Sequence, residues 1–283
     1  MLGAHSTEGD GRRAAAWIGA VLLLALLAVA PLTAAFGKPA AMPAVGASSA
    51  HWMQIESRIE SGYFQQDATG LRALAATLSG RDGAAESDGK DGDADAEWRS
   101  YYAALAAYRL ALLSRSDEAR AWPFAQRCVD RLNRTLVLDT VSAEALALQS
   151  ACLALQSDLD PWRSPLAAPL SLARIDKALK LAPDNPRVLL LGALGARDRP
   201  RLFGGDGQRA FELMQRAVTA FERQSGAARG LPGWGAADAF TDLAQDYLSL
   251  GNALAARNVL ERALLVAPQF EQARHLMAQI VSG

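Results

Sequence analysis

The chain has 283 residues, about half of them apolar, and its 29 basic and 30 acidic residues leave a formal charge of −1. That balance excludes a nucleic-acid surface, which needs a basic footprint. Three dispersed histidines and two cysteines exclude a histidine cluster or a four-ligand zinc set, so neither metal nor cofactor is expected.

The length allows one long or two short domains. Many alanines and few aromatics suit close-packed helix pairs, because alanine favours the helix and lets backbones approach.

At the N-terminus, Arg12 and Arg13 are followed by no charged residue until Lys38. Between them lies the apolar run Trp17 to Ala30, then Pro31 and the small residues Thr33, Ala34 and Ala35. Residues 1–37 therefore read as an export signal, with Thr33 and Ala35 at the −3 and −1 places of a cleavage site. The same span is long enough for an uncleaved single transmembrane anchor, which takes ~20 residues, and the two readings stay open. In both, Arg12 and Arg13 remain cytoplasmic. The rest of the chain then works in the cell envelope, either periplasmic or attached to the inner membrane by one pass with its body outside the cytoplasm. The chain meets the membrane only if that segment is uncleaved. No cysteine follows the apolar core, which excludes a lipoprotein anchor.

Residues 38–48 form a Pro/Ala/Gly tether. Residues 49–79 then read as a helical hairpin, a degenerate repeat or an N-terminal cap. Its helices run from Ser49 to Gly62, with Trp52, Ile55, Ile59 and Phe64 at near-helical spacing, and from Asp67 to Leu78, with Leu71, Leu74 and Leu78 on one side. Residues 80–95 are an acidic Gly/Asp-rich linker without apolar periodicity. Asp91, Asp93 and Asp95 spell the opening of a calcium loop. Ala96 and Tyr102 stand where that loop needs glycine and glutamate, so an acidic linker is the better reading.

Helical hairpins resume in residues 96–283. They pair Trp98–Leu113 with Trp122–Leu138, Ser142–Gln156 with Pro165–Leu181, Pro186–Ala196 with Gly207–Arg223, and Ala236–Leu250 with Ala253–Val266. A last helix from Phe270 to Val281 covers the end. The second helices align on one small position, held by Thr135, Ala178, Ala217 and Ala263. A bulky residue stands three places earlier, Leu132, Ile175, Met214 or Leu260, and a small one four before that, Cys128, Ser171, Ala210 or Ala256. Capping residues precede proline at Ser164-Pro165 and Asn185-Pro186, and Asp206 can cap the helix after it. Pro183 and Pro268 stop the helices before them.

In the last hairpin, Phe240, Leu243, Ala244, Tyr247, Ala256, Leu260 and Pro268 occupy the pattern of a tetratricopeptide repeat position by position. The chain resembles that superfamily, as an exported or membrane-anchored bacterial-type member. The resemblance implies an all-α fold: an α-solenoid of tetratricopeptide-like hairpins with a C-terminal capping helix. The aligned positions are spaced 43, 39 and 46 residues apart, against a family interval of about 34. The excess falls on insertions at 158–165, 197–206 and 225–235.

By the same resemblance the first helix of a hairpin lines an inner groove. Asp238, Thr241, Gln245, Leu248 and Ser249 are then the partner-binding face, against the plainer reading of a wet helix face. Thr241 and Gln245 replace the lysine and asparagine that grip C-terminal carboxylates in some members. In the inserted loops, Arg199, Arg201 and Phe203, with Gly204 and Gly205, are candidate contacts for an anion or a partner, and Trp234 is a candidate partner contact; the alternatives are a tight turn with Phe203 tucked inward and Trp234 as an anchor for its loop. Cys128 and Cys152 fall on consecutive helices. An oxidising compartment would permit a disulfide between them, and two small buried thiols are the other reading.

No nucleophile and base stand together, so the chain is not expected to be an enzyme. The function expected is a protein- or peptide-binding scaffold or adaptor in the cell envelope, its partner unidentified. The alternative is an accessory ligand-binding subunit of an envelope transport system. A deep apolar pocket lined by the inserted loops would favour the alternative.

Overall fold

Apolar side chains at three- and four-residue spacing fold as helices from Ala47 onward. The computed structural model describes residues 47–80, 90–138, 142–201, 204–225 and 231–282, all within the unit Pro43–Gly283. The export or anchor segment, the tether through residue 46, the linker at 81–89 and Phe203 lie outside the described residues.

The elements are α1 (Ala47–Phe64), α2 (Ala68–Gly80), α3 (Lys90–Leu113), α4 (Glu118–Leu138), α5 (Ala143–Leu159), α6 (Ala167–Leu181), α7 (Pro186–Asp198), α8 (Gly207–Ser225), α9 (Ala236–Ser249), α10 (Ala253–Val266) and α11 (Glu271–Ser282). Consecutive helices pack as antiparallel hairpins. Each hairpin from α3 onward then stacks on the next, with α11 against α10 and α9. This is an all-α solenoid of helical hairpins closed by a terminal helix. Among the described residues, no helix is long and apolar enough to cross a membrane.

The aligned repeat positions form the seam of each hairpin. Thr135, Ala178, Ala217 and Ala263 are buried, and so are the bulky and small residues that precede them. In the α5–α6 pair, Ser150 Oγ donates to the Ser171 carbonyl at 2.8 Å, and Ser171 Oγ donates to the Ser150 carbonyl at 2.8 Å. Small side chains at this seam let the two backbones approach closely, and bulky neighbours fill the space toward the next hairpin. A disulfide joins Cys128 of α4 to Cys152 of α5, with Cα atoms 6.0 Å apart. It ties the second hairpin to the third.

Several helix ends follow local chemistry. Asn185 Oδ1 accepts from the backbone N–H of Arg187 and Val188, with Pro186 at the first helical position. Asp206 accepts from Gln208 and Arg209, and Asn252 from Ala255.

Three boundaries differ from expectation. α3 starts at Lys90 rather than after the linker, so Asp91, Asp93 and Asp95 lie in its first turns and form no calcium loop. Acidic residues at a helix N-terminus favour the macrodipole, which offsets the poor propensity of this stretch. α4 starts at Glu118, four residues before Trp122, because Asp117 accepts from the Arg120 N–H and caps it. Pro123 consequently sits inside the helix and leaves one carbonyl in it without its helical donor. Ser164 does not cap α6. The helix opens at Ala167 without a side-chain cap, and Ser164 Oγ lies 3.5 Å from Gln156 Oε1.

Ala263, fully buried between α9 and α10, tests the seam. Ala263→Leu is expected to destabilise the chain by ~1–3 kcal/mol through overpacking, read as a lowered midpoint in urea unfolding. An unchanged midpoint would contradict close packing there.

Candidate functional site

α1 presents Trp52, Ile55, Glu56, Ile59, Glu60 and Tyr63 along one helical stripe. Its apolar members pack on α3, yet the stripe carries two carboxylates. Glu60 takes both oxygens to Arg109 of α3, at 2.9 and 2.8 Å. The other side of the same guanidinium meets both oxygens of Asp238 of α9, at 2.8 and 2.7 Å. Arg109 is 2% exposed, and its guanidinium carbon lies 4.1 Å from the ring centre of Tyr63.

Glu56 accepts from the Tyr102 hydroxyl at 2.8 Å and from the Gly233 N–H, 177 residues away in sequence. Phe64 and Tyr63 reach Phe270, with ring centres 4.4 and 6.0 Å apart. α1 thus joins the first hairpin to the segments before α9 and α11.

The segment before α9 is built to allow this. Gly235 has φ +102, and a Cβ there would press on Phe221 and Leu190, so glycine is required on both counts. Trp234 is 3% exposed. Its Nε1 donates to the Tyr101 hydroxyl at 3.0 Å, and its carbonyl accepts from Arg187, which also holds Glu144 at 2.9 Å.

Beside this closure lies a partly open cavity of about 1040 Å³. Its floor is formed by buried residues: Tyr108 and Arg109 of α3, Leu155 of α5, Leu190 and Leu191 of α7, Trp234, and Asp238 and Thr241 of α9. Ala151, Ala154, Ala168, Leu172 and Leu194 add an apolar wall. The exposed lining residues Pro161, Pro165, Pro200 and Gly204 mark the opening. All three insertions contribute: Pro161, Ser164 and Pro165 from the first, Arg197 to Pro200 and Gly204 from the second, Trp234 from the third.

The acids lining this space are matched by arginines. Arg197 donates to Asp242 at 2.8 Å and also approaches Asp198 and Asp246. Burial pushes Asp242 up to about 6, although Arg197 opposes the shift. Burial likewise raises Glu60 to about 7 against the pull of Arg109, and Asp238 adds to the rise. One guanidinium facing two buried carboxylates leaves an excess negative charge, so protonation of one of them is favoured. Glu56 is also raised by burial. Asp238 and Asp242, one turn apart, face different arginines, Arg109 and Arg197.

The expected groove face is only partly a surface. Asp238, Thr241 and Gln245 line the cavity, but Asp238 and Thr241 are buried rather than wet. Asp238 is turned to Arg109, and the Thr241 hydroxyl bonds back to the Ala237 carbonyl at 2.8 Å. Leu248 is half-buried against the core and Ser249 is exposed; neither lines the cavity. Trp234 is an anchor and offers no outer contact. Arg201 is exposed and off the cavity, whereas Arg199 lines it.

Sequence reasoning missed Arg109, Glu56, Glu60 and Arg197. Two signals were there: Arg109 is the lone charge in the apolar run Tyr101–Leu113, and both glutamates fall on the apolar stripe of α1. Among the described residues, no cluster of three or more His, Cys, Asp or Glu is arranged to hold a metal.

Arg109→Ala would strand Glu60 and Asp238 in the interior and is expected to cost ~3–5 kcal/mol, measured by chemical denaturation. Acid should act in the opposite sense. Folding raises the affinity of Glu60 and Asp242 for protons, so their contribution to stability falls as pH climbs toward about 7. The melting temperature of wild type relative to Glu60→Gln should therefore decrease from about pH 5 to about pH 8. A constant or rising difference would refute the assignment.

No family model matches the chain, and no curated protein is significantly similar to it. Among solved structures, the HusA haemophore from Porphyromonas gingivalis is similar at 20% identity, covering 72% of this chain and 96% of that one, with a TM-score of 0.54. The Assembly Chaperone of RpL4 (Acl4) has 15% identity and a TM-score of 0.41, covering 83% of this chain and 87% of that one. The likeness to HusA is one of fold, an all-helical repeat-like architecture.

Proposed function

We propose that this chain is a non-enzymatic binding protein of the cell envelope that takes a small, largely apolar molecule into its cavity, and that its hairpins are divergent tetratricopeptide repeats. The observation that carries this reading is the cavity of about 1040 Å³ lined by residues from all three insertions. Ligand sites are concave and mostly apolar, with a few fixed polar groups, and span ~300–1,000 Å³; this one stands at the upper end. The insertions that lengthen the repeat interval are thereby given a common purpose. The apolar N-terminal segment supports the envelope location.

A scaffold gripping an extended peptide fits less well. The inner face from α3 to the start of α11 is partly covered by α1 itself, through Glu60, Glu56 and Phe64.

The test is mass spectrometry of the native full chain from its envelope, with titration of apolar probes including haem. Ala154, half-buried on the cavity wall, gives the control. Ala154→Trp should fill the space and weaken probe binding by about tenfold or more while the melting temperature stays close to wild type. Unaltered affinity in that variant would place binding elsewhere. Capture of a protein partner with no small molecule bound would favour the scaffold.

A further inference from the structure

Four arginines line the cavity: Arg109, Arg115, Arg197 and Arg199. Three are engaged. Arg109 holds Glu60 and Asp238, Arg115 holds Asp158 at 3.1 Å, and Arg197 holds Asp242, Asp198 and Asp246. Arg199 is half-buried, and its guanidinium has no ion pair or hydrogen bond among the described residues. The charges that act on it through space are Asp176 of α6 and Arg209 of α8, which oppose each other, and burial lowers its pKa. It keeps its proton regardless, since a guanidinium is not deprotonated in proteins.

The loop that carries Arg199 is built to hold it there. Asp206 N–H donates to the Ala196 carbonyl at 2.9 Å, Gly205 N–H to the Pro200 carbonyl at 3.1 Å, and Gly204 N–H to the Arg201 carbonyl at 3.1 Å. Gly204 has φ +86, and a Cβ on Gly205 would overlap the Arg199 carbonyl group. Both glycines are therefore needed to close the turn. On the other side, the guanidinium Nη2 lies along α7 beside Gly195, at 3.7 Å from where a Cβ on that glycine would stand. A fixed, partly desolvated cation beside an apolar chamber is costly unless an anion arrives to pair with it.

We infer that Arg199 is the anion-receiving group of the cavity and that the ligand class is an amphipathic organic carboxylate. Its apolar body lies against Leu172, Leu191 and Leu194 and its carboxylate meets the guanidinium fork. The planar fork matches a carboxylate in two parallel hydrogen bonds. Asp158, Asp198, Asp238 and Asp242, the acids that line the cavity, already face other arginines, and Asp176 acts on Arg199 only through space, offset by Arg209. This inference rests on the ligand-binding reading above.

The experiment compares two probes that differ only at the head group, dodecanoate and dodecanol, on the full chain. Wild type should bind dodecanoate about tenfold more tightly than dodecanol. Arg199→Gln should lose that preference by weakening dodecanoate alone, and Arg199→Lys should retain part of it. Melting curves of both variants should match wild type, since Arg199 holds no ion-pair or hydrogen-bond partner among the described residues. Equal affinity of wild type for the two probes, or an undiminished preference in Arg199→Gln, would overturn the role of Arg199 and leave the cavity reading standing. A wild-type chain that takes up neither probe and carries no small molecule from its envelope would overturn both.

Discussion

One guanidinium fixes how this solenoid closes. Arg109 of α3 holds Glu60 of α1 on one side and Asp238 of α9 on the other, across sequence separations of 49 and 129 residues. Stacked repeats ordinarily contact only their neighbours, so their stability is a sum of local terms. Here one buried group ties the first hairpin to the fifth. An ion network of this kind gives little net stability, since desolvating three charges offsets most of their attraction. What it penalises is any arrangement in which α1 sits elsewhere, because two carboxylates or a guanidinium would then be stranded. The aromatic contacts of Tyr63 and Phe64 with Phe270 and the Glu56–Gly233 bond point the same way.

The cavity follows from that closure. With α1 against α3 and tied to the segment before α9 through Glu56 and Gly233, the inner face of the central hairpins is partly enclosed. The lengthened connections then complete its border rather than hang free in solvent. The first brings prolines to the opening, the second brings Arg197 and Arg199, and the third places Trp234 in the floor. Charge is distributed unevenly over this lining. Acids are present in number, but each is held by an arginine, and Arg199 alone among the lining arginines is uncommitted among the described residues.

Helix positions were legible because they depend on local terms. The spacing of Leu132, Thr135, Leu260 and Ala263, the Asn185-Pro186 cap and the stops at Pro183 and Pro268 need no knowledge of distant residues. The shifts at Lys90, Glu118 and Ala167 arose where local signals competed: acidic residues favouring a helix start against a Gly/Asp-rich composition, Asp117 as a cap against a proline six residues on, and Ser164 drawn toward Gln156. The cavity was legible only as excess loop length. Asp238 and Thr241 looked like a wet groove face, because the repeat pattern says which way a first helix turns and says nothing about what stands over it.

By itself, then, the sequence determined an all-α stack of hairpins, its small-residue seams and the places where loops were added. These are properties of periodicity, capping and side-chain volume within about fifty residues. Only the tertiary structure decided that α1 folds across to α9, that Cys128 meets Cys152, that Arg109 and Asp238 are partners, and that Arg199 rather than Arg201 enters the cavity. The physical reason is that a charge has no preferred burial of its own. Whether Asp238 is a solvated surface group or half of an interior ion pair depends on a partner 129 residues away, and folding alone brings the two together.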